Sequence, residues 1–155
     1  MNNNIFYSSL KFEKHRIPHV VVTGRRTGPT LVAIGLQHPT EFSGPGAMDR
    51  VLDELDPARL SGKLICLPIV NPLQMHLTDE QFRKCWKNPD TNLNRQWPGI
   101  PKSRNALSRL AAFIWDTILV QADALVDYHC CRTVDPRFAA CLADHKPGEA
   151  MAAAM

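Results

Sequence analysis

The 155 residues are 45% apolar and 21% charged, enough to bury one compact core and too few for two full-size domains. Eighteen basic against fifteen acidic residues leave a formal charge of +3, with no run of five like charges and 7% aromatic residues, which excludes a nucleic-acid stripe or a membrane-surface patch. No apolar stretch approaches the roughly 18 residues of a spanning helix, and Met1 to Tyr7 lacks the basic and apolar regions of a signal peptide, so a soluble, cytoplasmic protein is expected. The five cysteines are odd in number, two are adjacent at Cys130 and Cys131, and none forms a C-x-x-C pair; reduced thiols are expected.

Short β-rich runs alternate with segments of helical period, the pattern of an α/β domain with a mixed, mostly parallel sheet and helices on both faces. Strands are predicted over His19 to Thr23, Leu31 to Leu36, Lys63 to Val70 and Ala124 to His129, with a weaker fifth at Phe138 to Leu142. The turn residues Gly24 to Pro29 are short enough to join the first two as an antiparallel hairpin. A first helix begins near Ser43, Gly44 and Pro45, with Ser43 as its cap and Ala47, Val51 and Leu55 on its buried face, and stops at Asp56 and Pro57. A second spans Ser103 to Gln121, its apolar stripe formed by Leu107, Leu110, Ala111, Ile114 and Ile118. Between Asn71 and Lys102 lies a long polar connection with four prolines and no evident structure, a length that points to function. The last residues, Gly148 to Met155, have strong helix propensity.

Chemistry concentrates where strands end. The run Leu31 to Leu36 leads directly into Gln37-His38-Pro39-Thr40-Glu41, and ligands of open α/β sheets bind at such carboxyl ends. His38 and Glu41, three residues apart, can converge on one divalent metal in a tight turn. The last strand ends Asp127-Tyr128-His129 and delivers a second imidazole; two histidines and a glutamate make a catalytic zinc set with one position left for water. Asp127, two residues before His129, lies on the same side of an extended chain and can accept its other ring N–H. In the polar connection, Arg95 offers a planar fork for a substrate carboxylate and Asn94 a further hydrogen bond, while Arg83 can stabilise a developing oxyanion.

Taken together these segments resemble the zinc-dependent succinylglutamate desuccinylase and aspartoacylase family, related to the zinc carboxypeptidases. Gly35 to Gly44 resembles its H-G-x-E segment, Val70-Asn71-Pro72 its strand-end Asn-Pro, Asn92 to Gly99 its D-L-N-R-x-F-P-G and Asp127-Tyr128-His129 its D-L-H, in the family's order over residues 17 to 145. The resemblance implies a carboxypeptidase-like three-layer fold with one zinc ion held by His38, Glu41 and His129. It also implies a substrate carboxylate on Asn94 and Arg95, and a carbonyl polarised by Arg83. The implied reaction is attack of zinc-activated water on an amide, releasing an acyl group from an amino acid or a residue from a peptide C-terminus.

Three departures qualify the match. Pro39 replaces the glycine after the first histidine, removing an N–H and fixing φ, so an altered ligand loop is expected. Asn92 stands where the family pattern has aspartate. The family's general base, a glutamate well downstream of the third ligand, has no counterpart, and Glu149 follows the ligand strand too closely to match it. The chain is therefore expected to be the amino-terminal half of a longer catalytic domain, weak or inactive alone, complemented by a carboxyl-terminal segment or self-associating. The alternatives are a carboxypeptidase-type peptidase and a non-catalytic remnant that binds zinc or a small carboxylate.

Overall fold

The computed structural model describes residues 4–130, 139–141 and 143–154. Within these residues five strands form one sheet: β1 (Ile5–Phe12), β2 (His15–Thr23), β3 (Arg26–Ile34), β4 (Ser61–Leu67) and β5 (Ala124–Asp127), in the spatial order β1-β2-β4-β3-β5. Among the described residues four α-helices accompany them: α1 (Ser43–Glu54), α2 (Asp79–Trp86), α3 (Ala106–Thr117) and α4 (Lys146–Ala153). The fold is a mixed α/β sheet, as expected. Among the described residues no helix is long and apolar enough to cross a membrane, and the four described cysteines are free.

The antiparallel hairpin lies one strand earlier than predicted. β1 pairs with β2 across the tight connection at Glu13 and Lys14, whereas β4 inserts between β2 and β3. β1 escaped the prediction because its middle, Phe6 to Ser8, faces solvent and breaks the apolar alternation that marks a half-buried strand. β4 and β5 end at Leu67 and Asp127, short of Val70 and His129. Phe138 and Leu142, which bound the proposed fifth strand, lie outside the described residues, and residues 139–141 are in no regular element.

α3 covers one face of the sheet. Leu107, Leu110, Ala111, Ile114 and Ile118 pack with Val32, Ile34, Ile65 and Leu67, and Asn105 caps the helix by accepting the Leu107 N–H. α1 covers the other face, turned by about one residue from the predicted stripe: Gly44 and Met48 are buried, Leu52 and Leu55 pack beside them, and Val51 is exposed. Ser43 is not the cap; Phe42 holds that position without a side-chain bond, and Ser43 Oγ lies 2.7 Å from Cys130 Sγ. The connection from Asn71 to Lys102 is not structureless, since it contains α2 and two 3₁₀ turns, Pro89–Thr91 and Leu93–Arg95. Thr78 and Gln81 close a reciprocal capping box at the start of α2, a signal present in the sequence. The predicted terminal helix forms as α4.

The packing of α1 is close enough to govern the far strand end. A Cβ at Gly44 would stand 2.6 Å from the Cβ of Tyr128, next to His129. Helix propensity would favour alanine by up to about 1 kcal/mol, but overpacking against an atom so near the backbone costs about 1–3 kcal/mol. Gly44→Ala is therefore expected to lower the thermal midpoint; an unchanged or raised midpoint would show that α1 and the β5 end can move apart freely.

Candidate metal centre

The sheet register brings the two predicted imidazoles together. β3 and β5 are parallel neighbours with Ile34 opposite Asp127, and the Tyr128 N–H donates to the Ile34 carbonyl, so both chains leave the sheet at one level. Four residues past Ile34 comes His38, and two past Asp127 comes His129; their rings lie 5.0 Å apart between centroids. The turn that carries His38 starts at Leu36, whose φ of 51° is left-handed. Such a backbone costs a leucine about 1–2 kcal/mol. Complete burial of its side chain, worth about 1.5–3 kcal/mol, offsets this. From the end of β4, Asn71 donates to the Gln37 carbonyl at 2.8 Å and holds the turn from below.

Glu41 sits between the two rings. Its Oε1 is 2.9 Å from His38 Nδ1 and its Oε2 is 2.8 Å from His129 Nδ1. One donor atom from each of the three residues lies within 4.8 Å of the others. Pro39 does not open this turn: the Glu41 N–H still reaches the His38 carbonyl at 3.2 Å, a bond that needs no N–H from position 39.

The outer nitrogen of each ring is also held. His38 Nε2 donates to Asn92 Oδ1 at 3.1 Å, and His129 Nε2 donates to Asp127 Oδ2 at 3.0 Å. The Asn92 amide has only one orientation, because its oxygen also accepts the Asn94 N–H at 3.0 Å and its nitrogen donates to the Trp86 carbonyl at 3.1 Å. With both Nε2 atoms carrying protons, the Nδ1 atoms are the ones turned toward Glu41. α2 lays Trp86 on His38 at 4.9 Å and Phe82 beside it at 5.2 Å. Burial raises the Glu41 pKa, but hydrogen bonds from His129 and His38 and the charge on the rings outweigh it and take the carboxyl to about 2. Hydrogen bonds to Asp127 and Glu41 outweigh burial at His129 and raise it to about 10.

Two nitrogens and a carboxylate at these separations suit a divalent cation of borderline softness, and a carboxylate buried between imidazoles is the arrangement such an ion would complete. Asn94 and Arg95 lie in the 3₁₀ turn beyond Asn92; Arg95 is exposed, with its guanidinium on the Asn94 carbonyl at 3.1 Å. Arg83 points elsewhere in this structure: it is exposed on α2 and pairs with Asp79 at 2.9 Å. Glu149 is exposed on α4. Missing from the sequence reading as site residues were Gln37, Asn92 and the Phe82/Trp86 pair. The aromatic pair was visible as an i, i+4 spacing behind the capping box; the role of Asn92 needed the fold.

Residues 27–155 match the family model described as the succinylglutamate desuccinylase/aspartoacylase catalytic domain. The chain belongs to this family. It is 26% identical over 110 residues to the N-alpha-acetyl-L-2,4-diaminobutyric acid deacetylase of Halomonas elongata, an alignment spanning 71% of this chain and 31% of the deacetylase. An aspartoacylase family protein from Mesorhizobium loti superposes with a TM-score of 0.72 at 22% identity, over 97% of this chain and 49% of that one. A metallo-carboxypeptidase from Pseudomonas aeruginosa shares the fold with a TM-score of 0.58 at 16% identity, over 85% of this chain and 36% of its own. The chain thus spans from 31% to 49% of the length of these relatives.

In metal-free protein the Glu41 cluster makes stability depend on pH in both directions. Glu41 falls from 4.5 to about 2 on folding, so its contribution is present above pH 4.5 and lost as the pH drops toward 2. His129 rises from 6.5 to about 10, so its contribution is complete below pH 6.5 and lost as the pH climbs toward 10. Urea unfolding of the chelator-treated chain beside His129→Gln is expected to show the largest difference between pH 4.5 and 6.5; a difference constant from pH 3 to 10 would contradict the pairing.

Proposed function

We propose that the protein is a zinc-dependent hydrolase that cleaves the amide bond of an N-acyl amino acid. The observation that carries this reading is the convergence of His38 Nδ1, Glu41 and His129 Nδ1, with each outer ring nitrogen already held by Asn92 or Asp127. The family match and the deacetylase relative, whose substrate by name is a small acylated amino acid, support an acylated amino acid as the substrate class. A peptidase reading rests on fold likeness alone, and the sequence relative favours the deacylase.

Zinc in such a site supplies Lewis acidity toward an amide carbonyl and toward water. The chain's own residues set the conditions for it. Glu41 is held ionised down to low pH, and His129 would have to give up its Nδ1 proton to offer a lone pair to such an ion, so binding would release a proton. Trp86 and Phe82 wall one side of His38 and keep water from its ring face. Asn94 and Arg95 bind the amino-acid carboxylate, the guanidinium giving two parallel donors. Arg83 leaves Asp79 and turns to the oxyanion once substrate is present, exchanging an exposed pair worth at most about 1 kcal/mol for a charge in a drier site.

Among the described residues, the carboxylates hydrogen-bonded within the cluster are Glu41 and Asp127, and each is engaged by histidine. Neither is free to take a proton from water. In our reading this chain is the metal-holding half of a single catalytic domain, and the general base comes from a carboxyl-terminal segment. This observation also favours a second reading, in which the chain alone binds zinc without turnover.

Elemental analysis of the purified chain is expected to find about one zinc per molecule, lost in the double variant His38→Ala, His129→Ala. Release of the acyl group from N-acetylated diaminobutyrate is expected to be about 10²- to 10⁴-fold slower than when a carboxyl-terminal segment bearing a glutamate base is supplied. Zinc retained by the double variant would refute the assigned ligands. Zinc binding with no turnover even after complementation would establish the non-catalytic reading.

A further inference from the structure

Asp127 belongs to the edge strand β5, which is only four residues long, and its side chain is 29% exposed. A carboxylate in that position would ordinarily rotate into water and leave His129 Nε2 unheld. What restrains it is Gln37. The Gln37 side chain, 1% exposed, donates from Nε2 to Asp127 Oδ2, the same oxygen that accepts from His129. An amide can present either end to a neighbour, so something must fix its orientation. Trp97 does so, its indole N–H donating to Gln37 Oε1 at 2.8 Å. An indole nitrogen is a donor only, so the amide oxygen must face Trp97 and the NH₂ must face Asp127. The Gln37 backbone is tied independently, through the bond from Asn71 to its carbonyl.

We propose that Gln37 is a positioning residue for the metal centre, and that the chain Trp97–Gln37–Asp127–His129 fixes which nitrogen of His129 faces the ion. The relay connects three segments far apart in sequence: the turn after Asn92, the end of β3 and the end of β5. It couples the connection carrying the substrate residues Asn94 and Arg95 to the imidazole on the opposite side of the site. The inference rests on the proposed metal reading, because a metal ligand is what the relay orients.

The test is a double-mutant cycle on zinc affinity, measured by competition with a chromophoric chelator. Gln37→Leu keeps the volume and removes both bonds; its affinity is expected to fall about 10- to 100-fold, as for other residues that orient a ligand. Trp97→Phe frees the amide to turn and is expected to lower affinity by a smaller factor. The double variant should be no weaker than Gln37→Leu alone, because the indole acts only through the amide. Losses that multiply, or affinity unchanged while the thermal midpoint falls, would assign these residues a structural role only. Should the wild-type chain hold no zinc, the metal reading itself fails, and nitrogen-15 NMR of the metal-free chain decides the relay separately. A low-field His129 Nε2 proton seen in the wild type and absent in Gln37→Leu supports it, whereas the same signal in both, or in neither, overturns it.

Discussion

The parallel pairing of β3 with β5 is the constraint on which the rest of the site depends. With Ile34 opposite Asp127, the two strands release their chains at the same height and side by side. A short turn after each is then enough to bring His38 and His129 to 5.0 Å. A slip of one residue would reverse the faces along β5 and carry His129 away from Glu41. β4, the other neighbour of β3, anchors the same end, since Asn71 just beyond it bonds to the backbone of Gln37. The covering helices protect this register: α3 seals the face containing Val32 and Ile34, and Gly44 of α1 lets the opposite helix approach Tyr128. Core and site are therefore one mechanical unit.

The second requirement is orientation of the rings. An imidazole is useful to a metal only if the correct nitrogen is unprotonated and correctly aimed, and free rotation about two side-chain bonds would remove that preference. Each histidine is held by a different device. His38 is buried against the contacting pair Trp86 and Phe82, with a neutral amide at its outer nitrogen. His129 is on the solvent side, its side chain 30% exposed, with an anion there instead. The anion is affordable where water reaches it and would be costly beside the buried His38. Chemistry thus follows burial.

Much of this was legible in the sequence where apolar periodicity was strong. The interior strands β3 and β4 end in apolar runs covered on both faces, which leaves little freedom of composition; the edge strand β5 is also apolar up to Asp127, and the stripe of α3 has the correct spacing. The residues that converge at the candidate site were legible for a related reason: His38 and His129 follow such runs closely. Elements with a solvated side were not. β1 alternates poorly, α2 is short and polar, and the face of α1 was misread because Val51, apolar but exposed, displaced the stripe from Met48. The hairpin was misplaced because the turn residues at Gly24 to Pro29 are equally compatible with a chain that leaves the sheet and returns two strands over. Asn92 and Gln37 could not be read as partners of His38 and Asp127, since those contacts span 54 and 90 residues.

Asn92, where the family pattern has aspartate, illustrates how a single departure can be consistent with its surroundings. The side chain is 1% exposed, and its nitrogen donates to the Trp86 carbonyl. A carboxylate there would set oxygen against oxygen at that contact and bury a charge whose desolvation costs several kcal/mol unless it is paired. The charges agree with this. If the rings held a divalent ion in their neutral form, Glu41 and Asp127 would balance its two charges, and an aspartate at position 92 would leave one negative charge in excess within the buried part of the site. Aspartate would strengthen the basicity of His38; asparagine keeps its orientation without adding the charge. Asn92 therefore fixes the orientation of His38 without adding a charge, whereas on the wetter side Asp127 orients His129 with one.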